Sequence, residues 1–331
     1  MTRQPIDPRI FLPSGSTQLN LHLSGHRDGA YPIPGVVNMI GDTFAGKTYL
    51  LWAMYAEVNN DPAFNNIDLY YDDAERGLTL PVRRLFGKSI LDRVISSKKK
   101  EHKWKDSRNV EDFGRRLEKI INKGRSFVYG LDSFDGLSTE SERKRTIGKK
   151  HYPEQPKILG EILRRTKDGI EEVNGLLFII SQVRDNINVI FGNPFKRSGG
   201  RALHHYSTQE IWLFGGKALK KHKMEIGHSV TARASKNRIT GIKGSIRLQI
   251  LSDYGIDDLG SMVDWCIDPD IKIWKGGKSA IQSPWGTMKK QALIKHIEKR
   301  HLENKLIDIV EERWIEIINS LKATKRRRRY N

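Results

Sequence analysis

Four short apolar runs, residues 36–40, 67–71, 127–131 and 176–180, punctuate the first half of the chain, each of strand length and bounded by turn residues. A half-wet strand alternates in polarity, whereas an unbroken apolar run is what a strand buried on both faces of a parallel sheet requires. Between the runs lie patterns of helical period. Val110, Phe113, Leu117, Ile120 and Ile121 recur on one helical face, and residues 49–58 suit a second helix. Strands alternating with helices predict an α/β fold whose mainly parallel sheet is flanked by helices. Over residues 245–251 the period changes to two, with Ile246, Leu248 and Ile250 on one face and polar neighbours on the other. That alternation predicts a half-exposed, antiparallel extension of the sheet.

The texture changes again after about residue 269. The Gly, Ser and Pro-rich stretch WKGGKSAIQSPWG reads as a linker before a helical stretch over residues 288–321. The expected organisation is a short arm at 1–13, one large core at 14–268, a basic helical region at 269–324 and a basic tail at 325–331. A chain of 331 residues is long enough for one large core with a small appendage.

Charge then narrows the possible partners. Lysine and arginine number 58 against 39 acidic residues, a net of +19, the footprint of a protein that meets a polyanion. Residues 269–331 hold 16 of those cations against 7 acids. An anionic membrane surface fits the charge less well than nucleic acid, since the longest clean apolar run, residues 176–180, is far short of the ~20 residues of a spanning helix. The first residues carry no apolar stretch of the kind a secretion signal needs, so a cytoplasmic protein is expected. Cys266, the single cysteine, has no partner for an internal disulfide and no histidine at zinc-ligand spacing.

Directly after the first apolar run stands Gly41-Asp42-Thr43-Phe44-Ala45-Gly46-Lys47-Thr48, which fits the phosphate-loop pattern G-x-x-x-x-G-K-[ST], with Tyr49 opening the helix that follows. Glycines let backbone amides close round phosphates, the helix N-terminus adds positive potential, the lysine reaches the β and γ phosphates and the threonine hydroxyl ligates magnesium. ATP and Mg2+ are the cofactors this implies. The third apolar run ends at Asp132, where phosphate-loop enzymes carry the acid that holds magnesium from its far side, although any strand can end in Asp. Glu75, in YYDDAERG, follows the second run. By spacing alone it reads equally as a general base or as a solvated loop residue.

One passage is more specific. LLFIISQVRDNINVIFGNPFKRSGGRALHHY, at residues 176–206, resembles the RecA family of recombinases, in which a strand ends in glutamine, enters a DNA-binding loop containing F-G-N-P and closes on a glycine pair. SGSTQLNLHLSG, DDAE and SKNRI resemble further family segments, so the likeness covers roughly residues 14–268. It implies a RecA-like fold with Glu75 as catalytic base, Gln182 as sensor of the γ phosphate, and Lys236 and Arg238 as cations that reach a neighbouring subunit's ATP. It further implies a DNA-binding loop with Arg184 on phosphate and Ile187 as a wedge between bases. Phe191, Gly192, Asn193, Lys196, Arg197, Gly199 and Gly200 complete that loop, and Ile147 matches a wedge in a first loop. His204 and His205 read as structural.

These features point to a DNA-dependent ATPase that self-associates on single-stranded DNA and exchanges strands with double-stranded DNA. A hexameric helicase on the same core is the rival from the motor class, since only about a dozen residues precede the match where the family carries a docking helix and strand. A regulator that uses ATP as a structural switch is the third reading. It conflicts with the complete set Lys47, Thr48, Glu75, Asp132 and Gln182.

Overall fold

A computed structural model of the chain describes residues 10–146, 154–185, 195–197, 200–277 and 279–321. Two compact units divide it, Met1–Ile256 and Asp257–Asn331.

The first unit is organised by a ten-stranded sheet. At its centre lies Gly35–Gly41, paired in parallel with Gly175–Asp185 on one side and with Gln209–Lys221 on the other. Beyond Gly175–Asp185 follow Phe127–Asp132, Asp68–Asp73 and the short Val94–Ile95, all parallel. The strands Gly35–Gly41, Asp68–Asp73, Phe127–Asp132 and Gly175–Asp185 hold the four apolar runs, and every residue of Phe127–Asp132 is buried. On the opposite flank the sheet turns antiparallel through Met224–Asn237, Gly244–Leu251 and Gly255–Ile256. Ile246, Leu248 and Ile250 face inward there, as their alternation predicts.

Helices cover both faces. On one face Lys47–Asn60 buries Leu50, Leu51, Trp52, Met54, Tyr55 and Val58, and on the other Val110–Ile121 and Gln155–Glu172 bury Phe113, Leu117, Leu159 and Leu163. The first helix lies so close to the sheet that a Cβ at Gly130 would stand 2.4 Å from the Tyr55 hydroxyl. That hydroxyl donates to the Tyr70 carbonyl at 2.6 Å, which satisfies a polar group otherwise costly to bury.

In the second unit the helices Asp258–Cys266, Lys290–Arg300 and Glu303–Ser320 pack together. Two expectations need correction here. The division falls between Ile256 and Asp257 rather than near residue 269, because Asp258–Cys266 buries Met262, Val263 and Cys266 within this unit. The stretch read as a linker is a three-stranded antiparallel sheet, Lys275–Gly277, Ala280–Ser283 and Gly286–Met288, with Trp274 and Trp285 edge to face at 5.8 Å. The helical stretch expected over 288–321 comprises the two helices Lys290–Arg300 and Glu303–Ser320, parted at His301, whose φ of 51° is left-handed. No described helix is long and apolar enough to cross a membrane.

Candidate nucleotide site and DNA-facing segment

The central strand delivers Gly41 to the sheet edge, and the chain turns through residues 42–45 into the helix Lys47–Asn60. Gly46 caps that helix at φ 90°, where a Cβ would stand 2.7 Å from Ile250 Cδ1. Glycine answers both demands at once. Phe44 also sits at positive φ, 64°, with its side chain exposed. Lys47 Nζ donates to the carbonyls of Gly41 and Asp42, both at 2.7 Å, so the ammonium lies inside the curve of its own loop. Burial lowers its pKa, against the opposing pull of Asp132 and Glu75.

Three acids from two strand ends meet this loop, Asp73 ending one strand with Glu75 just beyond it, and Asp132 at the end of another. Asp132 is buried, and its Oδ2 accepts from Thr48 Oγ1 at 2.7 Å and from the Tyr71 hydroxyl at 3.0 Å. Burial pushes its carboxyl up to about 6; the two hydrogen bonds oppose that rise and the Glu75 and Asp73 charges add to it. Glu75 Oε1 accepts from Gln182 Nε2 at 2.8 Å and from the Ser133 hydroxyl. Gln182 is fixed in turn, its backbone amide donating to Asp135 Oδ2 at 2.7 Å. Asp73 shapes the next loop by accepting from the amides of Gly77 and Leu78 at 3.1 and 3.3 Å and pairing with Lys98 at 2.7 Å.

Together these groups line a cleft of about 410 Å³, within the range of small-molecule sites. Its charge balance tests what it can hold. Asp73, Glu75 and Asp132 all line it, and among the described residues Lys47 is the one lysine or arginine that does. With Asp73 already paired to Lys98, a triphosphate added to Glu75 and Asp132 still needs more positive charge than one lysine supplies. A divalent cation between Thr48 and Asp132 would relieve the raised carboxyl of Asp132, and the donor set of hydroxyl and carboxylate suits a hard ion such as magnesium. The wall beyond is apolar, with Leu78, Leu80, Pro81 and Ile250. Tyr49 lines the cleft as well, while its ring packs on Phe86 at 5.3 Å.

Lys236 and Arg238 lie elsewhere. Lys236 Nζ donates to the His204 and His205 carbonyls, the latter at 3.0 Å, and Arg238 Nη2 donates to the His205 carbonyl at 2.7 Å. Those carbonyls end the helix Gly200–Tyr206, where cations suit the helix dipole. The Arg238 amide bonds the Thr208 carbonyl, and the Thr208 amide bonds the Val36 carbonyl, which fixes Arg238 level with the start of the central strand. The phosphate loop leaves from the other end of that strand. From Val36 to Gly41 the strand rises about 16 Å, so the two cations sit away from the phosphate loop of their own chain.

The family model for the RecA N-terminal domain matches residues 9–257. The chain belongs to the RecA family. Among curated proteins it is 27% identical to a protein RecA of Lactobacillus delbrueckii subsp. bulgaricus over 270 residues, which cover 81% of this chain and 76% of that one. To a protein RecA of Chlamydia felis it is 26% identical over 314 residues, covering 95% and 84%.

Of the segment that resembles the family's DNA loop the structure describes the borders. The strand Gly175–Asp185 carries the backbone of Arg184 past Gln182 and pairs with Phe195–Arg197, so Arg184 faces Lys196 and Val183 faces Arg197 in the ladder. Gly200 opens the following helix at φ 63°. Ile147, Ile187, Phe191, Gly192, Asn193 and Gly199 lie outside the described residues, as does the basic tail 325–331. His204 accords with a structural role, its Nδ1 lying 3.0 Å from the buried carboxylate of Glu210. Sequence reasoning missed Ser133, Asp135 and Tyr71, which orient Glu75, Gln182 and Asp132. The polar run Asp-Ser-Phe-Asp after an apolar strand was the available signal.

Proposed function

We propose that this RecA-family protein is a DNA-dependent ATPase that assembles on single-stranded DNA and promotes homologous pairing and strand exchange with a duplex. The observation that carries the proposal is the hydrogen bond from Gln182 to Glu75. It ties the last turn of chain before the DNA loop to the carboxylate best placed to act on water, so an event in the loop has a direct physical route to the chemistry.

In this reading the amides of Gly41–Thr48 and the Lys47 ammonium hold the β and γ phosphates, the helix N-terminus adding positive potential. Thr48 and Asp132 hold magnesium, which when bound neutralises charge on the phosphate oxygens. Glu75 orients and polarises the attacking water, and Gln182 either braces Glu75 or turns to the γ phosphate. Arg184, Lys196 and Arg197 attract the DNA backbone, and Ile187 and Ile147 part the bases. Phe191, Gly192, Asn193, Gly199 and Gly200 give the loop its turns. Lys236 and Arg238 complete the cation count in a neighbouring copy's cleft, as an arginine finger does.

The test is ATP turnover with and without single-stranded DNA, alongside joint-molecule formation with homologous and heterologous duplexes. Stimulated turnover with products only from the homologous duplex is the expected result. Fork unwinding by ring-shaped particles, with no dependence on homology, would replace this reading by a helicase.

A further inference from the structure

Opposite the acids, the cleft wall is the inner face of the antiparallel extension. His228 and Ile250 are directly paired in the ladder between Met224–Asn237 and Gly244–Leu251, so their side chains share one face of the sheet. On that face Ile250 is the nearest atom to any Cβ built at Gly46, with Val230 next, which seats it against the N-terminus of the phosphate helix. His228 stands one alternation along from Val230, further out, and lines the same cleft with Ser252, Leu80 and Pro81. Its Nε2 is buried and has no hydrogen-bond partner among the described residues. Buried polar atoms are rarely left unmatched without a reason.

We infer that His228 hydrogen-bonds the nucleoside end of a bound nucleoside triphosphate and thereby makes the cleft favour a complete nucleotide over its phosphate chain alone. This rests on the nucleotide reading of the cleft. Leu78, Leu80, Pro81 and Ile250 give the slot apolar walls suited to a flat base, and a base in such a slot excludes water, so each of its polar edges needs a protein partner. His228 is a wall group able to serve, with Thr79 and Ser252 on the same wall.

Calorimetric affinities of the full chain for Mg2+-ATP and for Mg2+-tripolyphosphate separate the two ideas. His228→Phe keeps a ring of similar size and removes both nitrogens; it should weaken ATP binding about 3- to 10-fold, the span of one neutral hydrogen bond, and leave tripolyphosphate binding unchanged. His228→Gln, which carries an amide to about the same place, should recover most of the loss. Lys47→Ala should weaken both ligands. An unaltered ATP affinity in His228→Phe, or equal losses for the two ligands, would overturn the inference while leaving the nucleotide reading intact. Failure of the unmodified protein to bind either ligand would remove both.

Discussion

Gln182 donates its side-chain amide to Glu75 at 2.8 Å, across 107 residues of sequence. The donor ends the buried part of Gly175–Asp185 and the acceptor follows Asp68–Asp73, two strands separated in the sheet by Phe127–Asp132. The bond therefore spans the top of three strands, and Ser133, from the middle one, joins it on the same carboxylate oxygen.

If that bond transmits DNA binding, its two ends should fail differently. Glu75→Gln should bind ATP and DNA normally yet hydrolyse roughly 10²-fold more slowly, the scale of a lost general base. Gln182→Ala should retain turnover in the absence of DNA and lose most of the stimulation by single-stranded DNA. Phosphate-release rates across a DNA titration measure both, and full stimulation in Gln182→Ala would exclude the coupling role.

Asp132 gives a prediction whose sign follows from its titration. Its folded-state carboxyl is raised by burial to about 6, so the fold disfavours the charged form. Below the ordinary value of 3.8 the group is protonated whether folded or not, and stability is lost as pH rises through about 6. At pH 7.5, without nucleotide or metal, Asp132→Asn should thus raise Tm by a few degrees. The same substitution should abolish the further rise that Mg2+-ATP gives the unmodified protein, and that rise should itself fade as pH drops through 6. A lower Tm for Asp132→Asn without ligands would show that the carboxylate is structurally required.

Much of this architecture was legible because its signals are local. The strands Gly35–Gly41, Phe127–Asp132 and Gly175–Asp185 are continuous apolar runs because both faces are covered, and the phosphate loop is eight consecutive residues. Gln209–Lys221 and Met224–Asn237 escaped because their far halves are solvated, leaving no sustained period. The small sheet at 275–288 escaped because glycines and a proline, the marks of a linker, here serve tight turns between three short strands. In the site, Lys47 and Asp132 could be read from motif and strand end. His228, Ile250 and Ser252 could not, since they reach the cleft only through the pairing of strands far from it in sequence.

Gly46 joins the loop to that distant strand pair, and its substitution should reveal the joint. Gly46→Ala meets two obstacles, a left-handed φ of 90° and Ile250 Cδ1 at 2.7 Å. The backbone term alone costs about 1–2 kcal/mol. Tm should fall and ATP affinity should drop. Adding Ile250→Val, which removes the obstructing methyl, should restore part of the loss in stability but not all of it, because the φ penalty remains. Additive losses in the double variant would mean that the contact is relieved by movement elsewhere.

The placement of Lys236 and Arg238 leads to the strongest test of assembly. Both are anchored on carbonyls level with the start of the central strand, and the phosphate loop leaves from its far end. Reaching a triphosphate in their own chain would mean crossing about 16 Å of sheet, well beyond either side chain. Among the described residues Lys47 is meanwhile the one lysine or arginine lining the cleft, against Glu75, Asp132 and an Asp73 already paired with Lys98. If the missing charge comes from a second copy, neither Lys47→Ala nor the double variant Lys236→Ala, Arg238→Ala should hydrolyse ATP alone. A mixture should recover turnover, because some interfaces then pair an intact phosphate loop with an intact cationic pair. With equal amounts and random assembly, about a quarter of interfaces qualify, so recovery should approach that fraction of normal turnover and follow the product of the two mole fractions. Turnover measured across mixing ratios, with co-assembly checked by light scattering, reads this directly. A flat line at zero despite co-assembly would return both residues to a purely structural role on the carbonyls of His204 and His205.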